Sequence, residues 1–390
     1  MRDGMTTCLL AAMLGATCLW GCQAAPPPAP ADLAAAAPGD AFLLPDGRRV
    51  EVVEVDILPV VRNDYSRRYI FDTAGNPKLE ELRRREKLDA VVEAGGDQFD
   101  RQVRLLDWTY KRIPRFGSPT CEAFGALEIV QAVDAGHTFF CAHYARLFVS
   151  AAASMGWVAR PLALRTARET GGAPEHSITE IWSDQYAKWI LFDPTYALYV
   201  EADGVPLSAW EVRQKWLYED GAGLTFVLGA DRRRYTPEDL PVFMATHPGF
   251  GDLRLAGTSL DKLAFMAYIP NTNLMDAGYD YAGMFITKDA LCEGVAWHRR
   301  DNPADPAGEP YFPLNQAALA LAAASDGLAV TADTFTPNFD RFEHRLDGGP
   351  WQTGVPELWS LHTGRNTLEA VAVNRFGERG RVSKVVLDVR

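Results

Sequence analysis

The stretch HSITEIWSDQYAKWILFDPT, residues 176–195, decides the predicted fold. Two segments rich in β-branched and aromatic residues, 176–182 and 188–194, are separated by Ser-Asp-Gln-Tyr-Ala. This pattern predicts a β-hairpin. If the loop holds the four residues Ser-Asp-Gln-Tyr, His176 lies directly opposite Asp193, with the Cβ atoms about 4.5–5.5 Å apart. The hairpin therefore predicts a histidine whose ring is held by a carboxylate.

A cysteine lies upstream of the hairpin, at the start of an apolar run. The run CAHYARLFVSAAASMGW, residues 141–157, predicts a buried helix that ends at Gly156. With Thr138 as the N-cap, Cys141 lies in the first helical turn, where free N–H groups and the helix dipole stabilise a thiolate. The chain then offers a thiol, an imidazole and a carboxylate, which are the parts that nucleophilic catalysis needs.

Two other interpretations of the cysteine remain open from the sequence. A helix that already included Asp134 would place Asp134, His137 and Cys141 on one face, as metal ligands require. Gly136 disfavours that early start, and His143 would point about 200° around the helix from the cysteine. Cysteine is also a common core residue.

We predict no metal and no cofactor, since the chain also has no Gly-rich phosphate loop and no CxxC pair.

The order of these residues resembles that of the transglutaminase-like superfamily of papain-type cysteine enzymes. The shared features are Cys141 opening a helix, a Gly-x-x-Ala-Arg turn at 156–160, His176 opening a strand that carries Glu180, and Trp189 before Asp193-Pro194-Thr195. The resemblance covers roughly residues 100–200. It implies an α+β fold in which the cysteine-bearing helix packs on an antiparallel sheet.

The resemblance also implies a catalytic triad of Cys141, His176 and Asp193. The implied activity is thiol acyl transfer on amide bonds of peptides or proteins, by hydrolysis or by cross-linking, without a cofactor. Many relatives have glycine two residues before the cysteine, where this chain has Phe139-Phe140, so narrower access is implied. The alternative is a catalytically silent scaffold or binding protein that keeps the fold.

The start of the chain predicts export. Residues 1–22 combine a short polar start, an apolar run and a small residue before Cys22, as a signal peptide does. The end of this segment, LWGC, resembles the lipobox of bacterial lipoproteins. The resemblance implies that Cys22 is lipidated and anchors the protein in the cell envelope, at the outer membrane facing the periplasm or the surface. An ordinary secretory signal, cut a few residues later, is the alternative.

The rest of the chain divides by composition. Residues 23–40 are rich in Pro and Ala and predict an extended tether. Residues 41–310 form the transglutaminase-like region, and no role can be assigned to its extension, 200–310. Short strand patterns alternate with turns over 315–390 and predict a β-sandwich. This block resembles the immunoglobulin-like modules of bacterial exported proteins, which implies contact with envelope proteins or glycans.

Charge and cysteine content narrow the partners further. The net charge is −12 without a long Lys/Arg block, so most of the surface would repel DNA or RNA. Removing the signal peptide leaves Cys121, Cys141 and Cys292 beside the lipidated cysteine. In an oxidising compartment, pairing of Cys121 with Cys292 would leave Cys141 as a free thiol.

Overall fold

The structure is a computed structural model and describes residues 37–165, 176–239, 262–275, 284–287, 303–304 and 308–390. The predicted signal peptide with Cys22, most of the tether and Cys292 lie outside these residues. Within them, the helices are all too short or too polar to cross a membrane.

The described secondary structure combines helices with antiparallel sheets. The helices are α1 (Pro77–Arg85), α2 (Leu88–Val92), α3 (Gln98–Arg112), α4 (Ala126–Asp134), α5 (Cys141–Ser154) and α6 (Ala209–Tyr218). The strands are β1 (Ala41–Leu43), β2 (Arg49–Asp56), β3 (Ala159–Arg165), β4 (His176–Ser183), β5 (Lys188–Asp193), β6 (Leu198–Ala202), β7 (Val205–Pro206), β8 (Leu224–Leu228), β9 (Arg233–Tyr235), β10 (Phe265–Tyr268), β11 (Phe285–Thr287), β12 (Pro303–Ala304), β13 (Ala318–Ala324), β14 (Gly327–Asp333), β15 (Phe339–Leu346), β16 (Gln352–Thr353), β17 (Leu358–Ser360), β18 (Gly364–Asn374) and β19 (Ser383–Val389).

The largest sheet carries the predicted hairpin at its centre. Its strand order is β12-β11-β10-β3-β4-β5-β6-β8-β9, with β7 paired to β6. Alternate residues of the hairpin enter two different cores, as the two-residue period of a strand requires. Ile181 and Ile190 join a cluster with α5, whereas Trp182 and Trp189 join a cluster with α6. The sheet is therefore covered on both faces, and β4 is buried along its whole length.

Several chain segments meet at one end of this sheet. After α5, a tight turn at Gly156, φ +80°, sends β3 back along the helix, so the end of β3 returns toward the start of α5. The end of β3 pairs with the start of β4, through Leu164 and His176, and with the start of β10, through Arg165 and Phe265. We call this region the His176 end of the sheet. It gathers the start of α5 and the starts of β4 and β10.

Two further sheets share a separate core. The six-stranded sheet has the order β1-β2-β19-β18-β15-β16, and the three-stranded sheet has the order β13-β14-β17. Apolar side chains from both sheets meet in one cluster, for example Val52 and Leu387 with Leu328 and Trp359. The immunoglobulin-like assignment of 315–390 stays a prediction.

The structure differs from the predicted domain division at the start of the described chain. The sequence assigned residues 41–56 to the transglutaminase-like region, but β2 pairs along its length with β19, from Val50 opposite Val389 to Asp56 opposite Lys384. The alternating valines of β2 give it one apolar face, and that face is buried in the C-terminal core. Alternation predicts the strand but not its partner, because strand pairing is a long-range contact.

Candidate active site

Helix α5 begins later than the sequence predicted. Phe140 is the N-cap, with extended backbone angles of φ −108° and ψ 178°, and Cys141 is the first helical residue. The prediction of Thr138 as the N-cap is wrong, because its hydroxyl donates to the Ser118 carbonyl, 2.7 Å away, and its N–H donates to Thr120 Oγ1. Cys141 therefore lies in the first turn, as expected, and its own N–H has no acceptor within the helix.

The metal-ligand interpretation requires a continuous helix that the structure does not have. Helix α4 ends at Asp134, and Gly136 adopts φ +90°, so the following residues leave the helical path. Asp134 forms ion pairs with Arg85 and Arg112 instead of facing the cysteine. His137 Nδ1 lies 3.0 Å from a threonine hydroxyl. Among the described residues, no group of three or more His, Cys, Asp and Glu side chains could hold a metal ion.

His143 is held away from acid–base chemistry at the cysteine. It is buried, and its ring packs 4.4 Å from the Phe139 ring and 4.9 Å from the Phe140 ring, between centroids. Burial and the charge of Arg146 lower the pKa of His143 to about 3, so the imidazole is neutral. The rings differ in exposure, since Phe139 is fully buried and Phe140 is 37% exposed. Of the two, only Phe140 can border the approach to Cys141.

The hairpin forms as predicted, but its register is shifted by two residues. The ladder pairs Ser183 with Lys188 and Thr179 with Phe192, so the predicted direct pairing of His176 with Asp193 is wrong. The loop is one residue later at each end than predicted. A shift of two residues leaves every side chain on its predicted face, because the period of a strand is two. His176 and Asp193 are therefore diagonal neighbours on one face rather than opposite residues, and long side chains still meet at that spacing.

The structure brings His176 and Asp193 into contact. His176 Nε2 lies 2.7 Å from Asp193 Oδ2, and the side chains are only 6% and 5% exposed. The other carboxylate oxygen, Oδ1, accepts the Thr195 N–H at 3.0 Å. The ring of Tyr196 lies against the imidazole, with 5.9 Å between centroids and 35° between planes. These contacts fix the imidazole plane and leave Nδ1 as the ring nitrogen available to the thiol.

The thiol of Cys141 interacts directly with this imidazole. Burial and, to a smaller extent, the charge of Asp193 would raise the pKa of Cys141, but a hydrogen bond from His176, the charge of His176 and a backbone hydrogen bond from Ser177 lower it. Burial alone would lower the pKa of His176, but the charge and hydrogen bond of Asp193, with a further contribution from Cys141, raise it to about 10. Each residue thus favours the charged form of the other. This arrangement favours the thiolate–imidazolium pair over the neutral thiol and imidazole.

The Gly-x-x-Ala-Arg turn and Glu180 have a structural explanation. Arg160 in β3 lies directly opposite Glu180 in β4, and the two fully buried side chains form a salt bridge of 2.6 Å. Arg160 also bonds to the Pro310 carbonyl, and Glu180 accepts the Ala209 N–H and the Tyr311 hydroxyl. The pair ties Ala209, Pro310 and Tyr311 to the hairpin. The salt bridge joins β3 to β4 and does not contact the thiol.

Two residues near the site were not found from the sequence. Tyr196 follows the Asp-Pro turn and packs on the imidazole, and the only available signal was its place two residues beyond Pro194. Lys262 precedes β10 at the His176 end of the sheet and is 3% exposed. Its region has no long periodicity in the sequence, so its position depends on a long-range strand pairing that no local pattern reveals.

Comparison with known proteins gives limited similarity. The sequence matches no family model and no curated protein. Among solved structures, it is similar to a candidate cysteine protease from Cytophaga hutchinsonii, with 14% identity and a TM-score of 0.27. The similarity covers 38% of this chain and 49% of that chain, which is about half the length of the other protein. The chain itself has a mixed α/β fold with several antiparallel sheets.

Proposed function

We propose that this protein is a transglutaminase-like thiol acyl-transfer enzyme that acts on amide bonds of peptides or proteins. The observation that carries the proposal is the mutual stabilisation of Cys141 and His176 at the start of α5, with Asp193 bonded to the far side of the imidazole. A buried thiol that is merely structural has no need of a base with a carboxylate behind it.

In the proposed reaction, each residue has one role. The Cys141 thiolate attacks the amide carbonyl carbon, and the carbonyl electrons move onto oxygen to form a tetrahedral oxyanion. Backbone N–H groups at the start of α5, including that of Cys141, stabilise this oxyanion. The His176 imidazolium then gives its proton to the leaving nitrogen as the C–N bond breaks, which leaves a thioester and a free amine.

The second half of the reaction regenerates the thiolate. Neutral His176 takes a proton from water or from an acceptor amine as that nucleophile attacks the thioester. The C–S bond then breaks, releasing a carboxylic acid or a new amide. Asp193 holds the ring in one tautomer and stabilises its charge throughout, without itself taking up the proton. Water as acceptor gives a protease or amidase, and an amine gives a cross-linking enzyme.

The proposal is tested by the reactivity of the thiol. We expect iodoacetamide to alkylate Cys141 at about pH 6 at least tenfold faster than it alkylates a free thiol, whose pKa is about 8.5. His176→Ala should remove this advantage. His137→Ala is the matched control, since His137 bonds to a threonine and leaves the thiol untouched. Quantifying the alkylated Cys141 peptide by mass spectrometry gives the rate for each variant.

The same experiment distinguishes the alternative function. If wild-type Cys141 reacts like a free thiol and His176→Ala leaves its rate unchanged, the enzyme proposal fails and the protein is a catalytically silent scaffold. If the thiol is activated, labelling with an electrophilic acyl probe, followed by identification of cleaved or cross-linked envelope proteins, gives the substrate class.

We further propose that the protein acts at the bacterial cell envelope, anchored through lipid on Cys22 and carrying an immunoglobulin-like module over 315–390. The support is the lipobox-like sequence LWGC and the alternating strand pattern of the C-terminal block. Incorporation of radiolabelled palmitate into the wild type, and its loss in Cys22→Ser, is the expected result in a Gram-negative host. Equal labelling of the two proteins would contradict the anchor.

A further inference from the structure

A buried lysine lies at the same end of the sheet as the thiol. Lys262 belongs to a short 3₁₀ turn, Lys262–Ala264, that leads directly into β10. The pairing of β10 with β3, and of β3 with β4, places this turn at the same end of the sheet as His176, with β3 between them. Lys262 is 3% exposed, although lysine is almost never fully buried without a partner. This burial requires a compensating anion.

The turn that carries the lysine is held rigidly. Arg213 of α6 is fully buried and donates from Nε to the Leu263 carbonyl, 2.9 Å away, and from Nη2 to the Ala264 carbonyl, 3.2 Å away. Leu263 is itself part of the apolar core on that face of the sheet. The backbone that follows Lys262 is therefore fixed by hydrogen bonds from Arg213 and by the packing of Leu263.

Two groups of the site carry the negative charge that acts on Lys262, namely the Cys141 thiolate and the Asp193 carboxylate. Burial lowers the pKa of Lys262, and the charges of Cys141 and Asp193 oppose that effect. Among the described residues, no carboxylate forms an ion pair with this ammonium. The other charged groups at this end of the sheet are His176 at the start of β4, Arg165 at the end of β3, and Arg213, which bonds to the backbone of the turn.

Charge balance shows what this arrangement does. A thiolate, an imidazolium and a carboxylate together carry one net negative charge, and a buried net charge is costly in a low-dielectric interior. With the ammonium of Lys262, the charges of these four residues sum to zero. When the thiolate attacks a carbonyl, the negative charge passes from sulfur to the substrate oxygen, and the balance is kept.

We propose that Lys262 is a positioning residue of the thiol site, whose buried ammonium balances the charge of Cys141, His176 and Asp193 and keeps Cys141 as the thiolate. This inference rests on the proposed function and adds to it a fourth charged residue from the extension at 200–310. It also gives that extension a role, which is to deliver a cation to the His176 end of the sheet.

The first test measures the pH dependence of alkylation in full-length protein. We compare the wild type with Lys262→Met, which removes the charge but keeps the length, and with Lys262→Arg, which keeps the charge. Removing the positive charge of Lys262 is expected to raise the pH midpoint of Cys141 alkylation by about one unit. Below the midpoint, this shift lowers the alkylation rate about tenfold. Lys262→Arg should restore most of the difference.

The matched control is Lys384→Met, because Lys384 pairs with Glu54 in the C-terminal sheet, away from the thiol. It should titrate like the wild type. A folded Lys262→Met protein with the wild-type midpoint would overturn the inference while leaving the proposed function intact. A wild-type Cys141 no more reactive than a free thiol would contradict both.

A second measurement keeps the inference testable if Lys262→Met does not fold. Charge coupling is reciprocal, so removing the thiolate must change the lysine as much as removing the lysine changes the thiol. In protein labelled with 13C at lysine Cε, the Lys262 resonance should titrate at lower pH in Cys141→Ala than in the wild type. Its assignment comes from its absence in Lys262→Arg. Identical titrations in the two proteins would overturn the inference.

Discussion

His176, the first residue of β4, donates a hydrogen bond of 2.7 Å to Asp193, the last residue of β5. Because Nε2 is used in this bond, the ring presents Nδ1 to the thiol, and one tautomer is selected. The carboxylate is buried beside the imidazole, where it favours the protonated ring more strongly than it would in water. The pKa of the imidazole that contacts Cys141 thus depends on a residue that does not touch the sulfur.

Replacing Asp193 by asparagine removes the charge and keeps the shape. We expect the pKa of His176 to fall, the thiolate to lose its counter-charge, and turnover to drop by about 10²–10⁴-fold. Alkylation of Cys141 at about pH 6 should slow with it. Asp388→Asn, at a carboxylate that bonds to Arg390 in the C-terminal sheet, is the control and should match the wild type. Unchanged alkylation in Asp193→Asn would refute the role of this carboxylate.

The two shifted pKa values predict that turnover rises with pH at one point and falls again only at a much higher pH. The pKa of Cys141 is lowered, so the thiolate forms, and turnover rises, below the usual range of a free thiol. The pKa of His176 is raised to about 10, and above that pH the ring has no proton to give to the leaving nitrogen. Turnover should therefore fall near pH 10, while alkylation, which needs only the thiolate, should not. A common alkaline fall in both rates would argue against His176 as the acid.

The sequence specified the hairpin and the face of its strands better than its register. In HSITEIW and KWILFDP, successive side chains were predicted to lie on opposite faces of the sheet. The structure shows this alternation, with successive residues in two different cores. The register depends on which loop residues turn, and Ala187 adopts φ +54°, which the sequence alone does not indicate. The error was two residues, so His176 and Asp193 remained on one face and their contact survived.

The start of α5 was less predictable, because the side chain expected to cap the helix forms a hydrogen bond with another segment. Thr138 is a favoured N-cap residue by type, but its hydroxyl bonds to Ser118, twenty residues away in sequence. Long-range contacts of this kind also place Lys262 and β2, and no local pattern records them. The local pattern did indicate that Cys141 lies in the first turn of a helix and that His176 begins a strand.

The neighbouring phenylalanines before the cysteine should respond differently to truncation. Phe139 is fully buried, so Phe139→Ala is expected to destabilise the fold by about 3–5 kcal/mol. Phe140 is 37% exposed beside Cys141, so Phe140→Ala should cost less stability and admit larger reagents. Urea unfolding measures the first effect, and the ratio of bulky maleimide to iodoacetamide rates measures the second. A ratio unchanged in Phe140→Ala would show that this ring does not border the approach.

The buried pair of Arg160 and Glu180 gives a prediction about the fold alone. Arg160→Met leaves the Glu180 carboxylate buried without its cation, and removing one partner of such a pair costs about 3–5 kcal/mol. Replacing both residues by methionine should recover part of this loss, because no unpaired charge remains. Arg345→Met, in a half-exposed pair with Glu369, is the control and should change the unfolding free energy far less.

The measurement is the free energy of unfolding in urea for each variant, with alkylation of Cys141 recorded in parallel. Arg160 bonds to Glu180 and to the Pro310 carbonyl, and neither contact reaches the thiol. We therefore expect the folded fraction of Arg160→Met to keep the wild-type alkylation midpoint. A shifted midpoint in folded protein would mean that the pair also sets the position of His176, since Glu180 and His176 lie on the same face of β4.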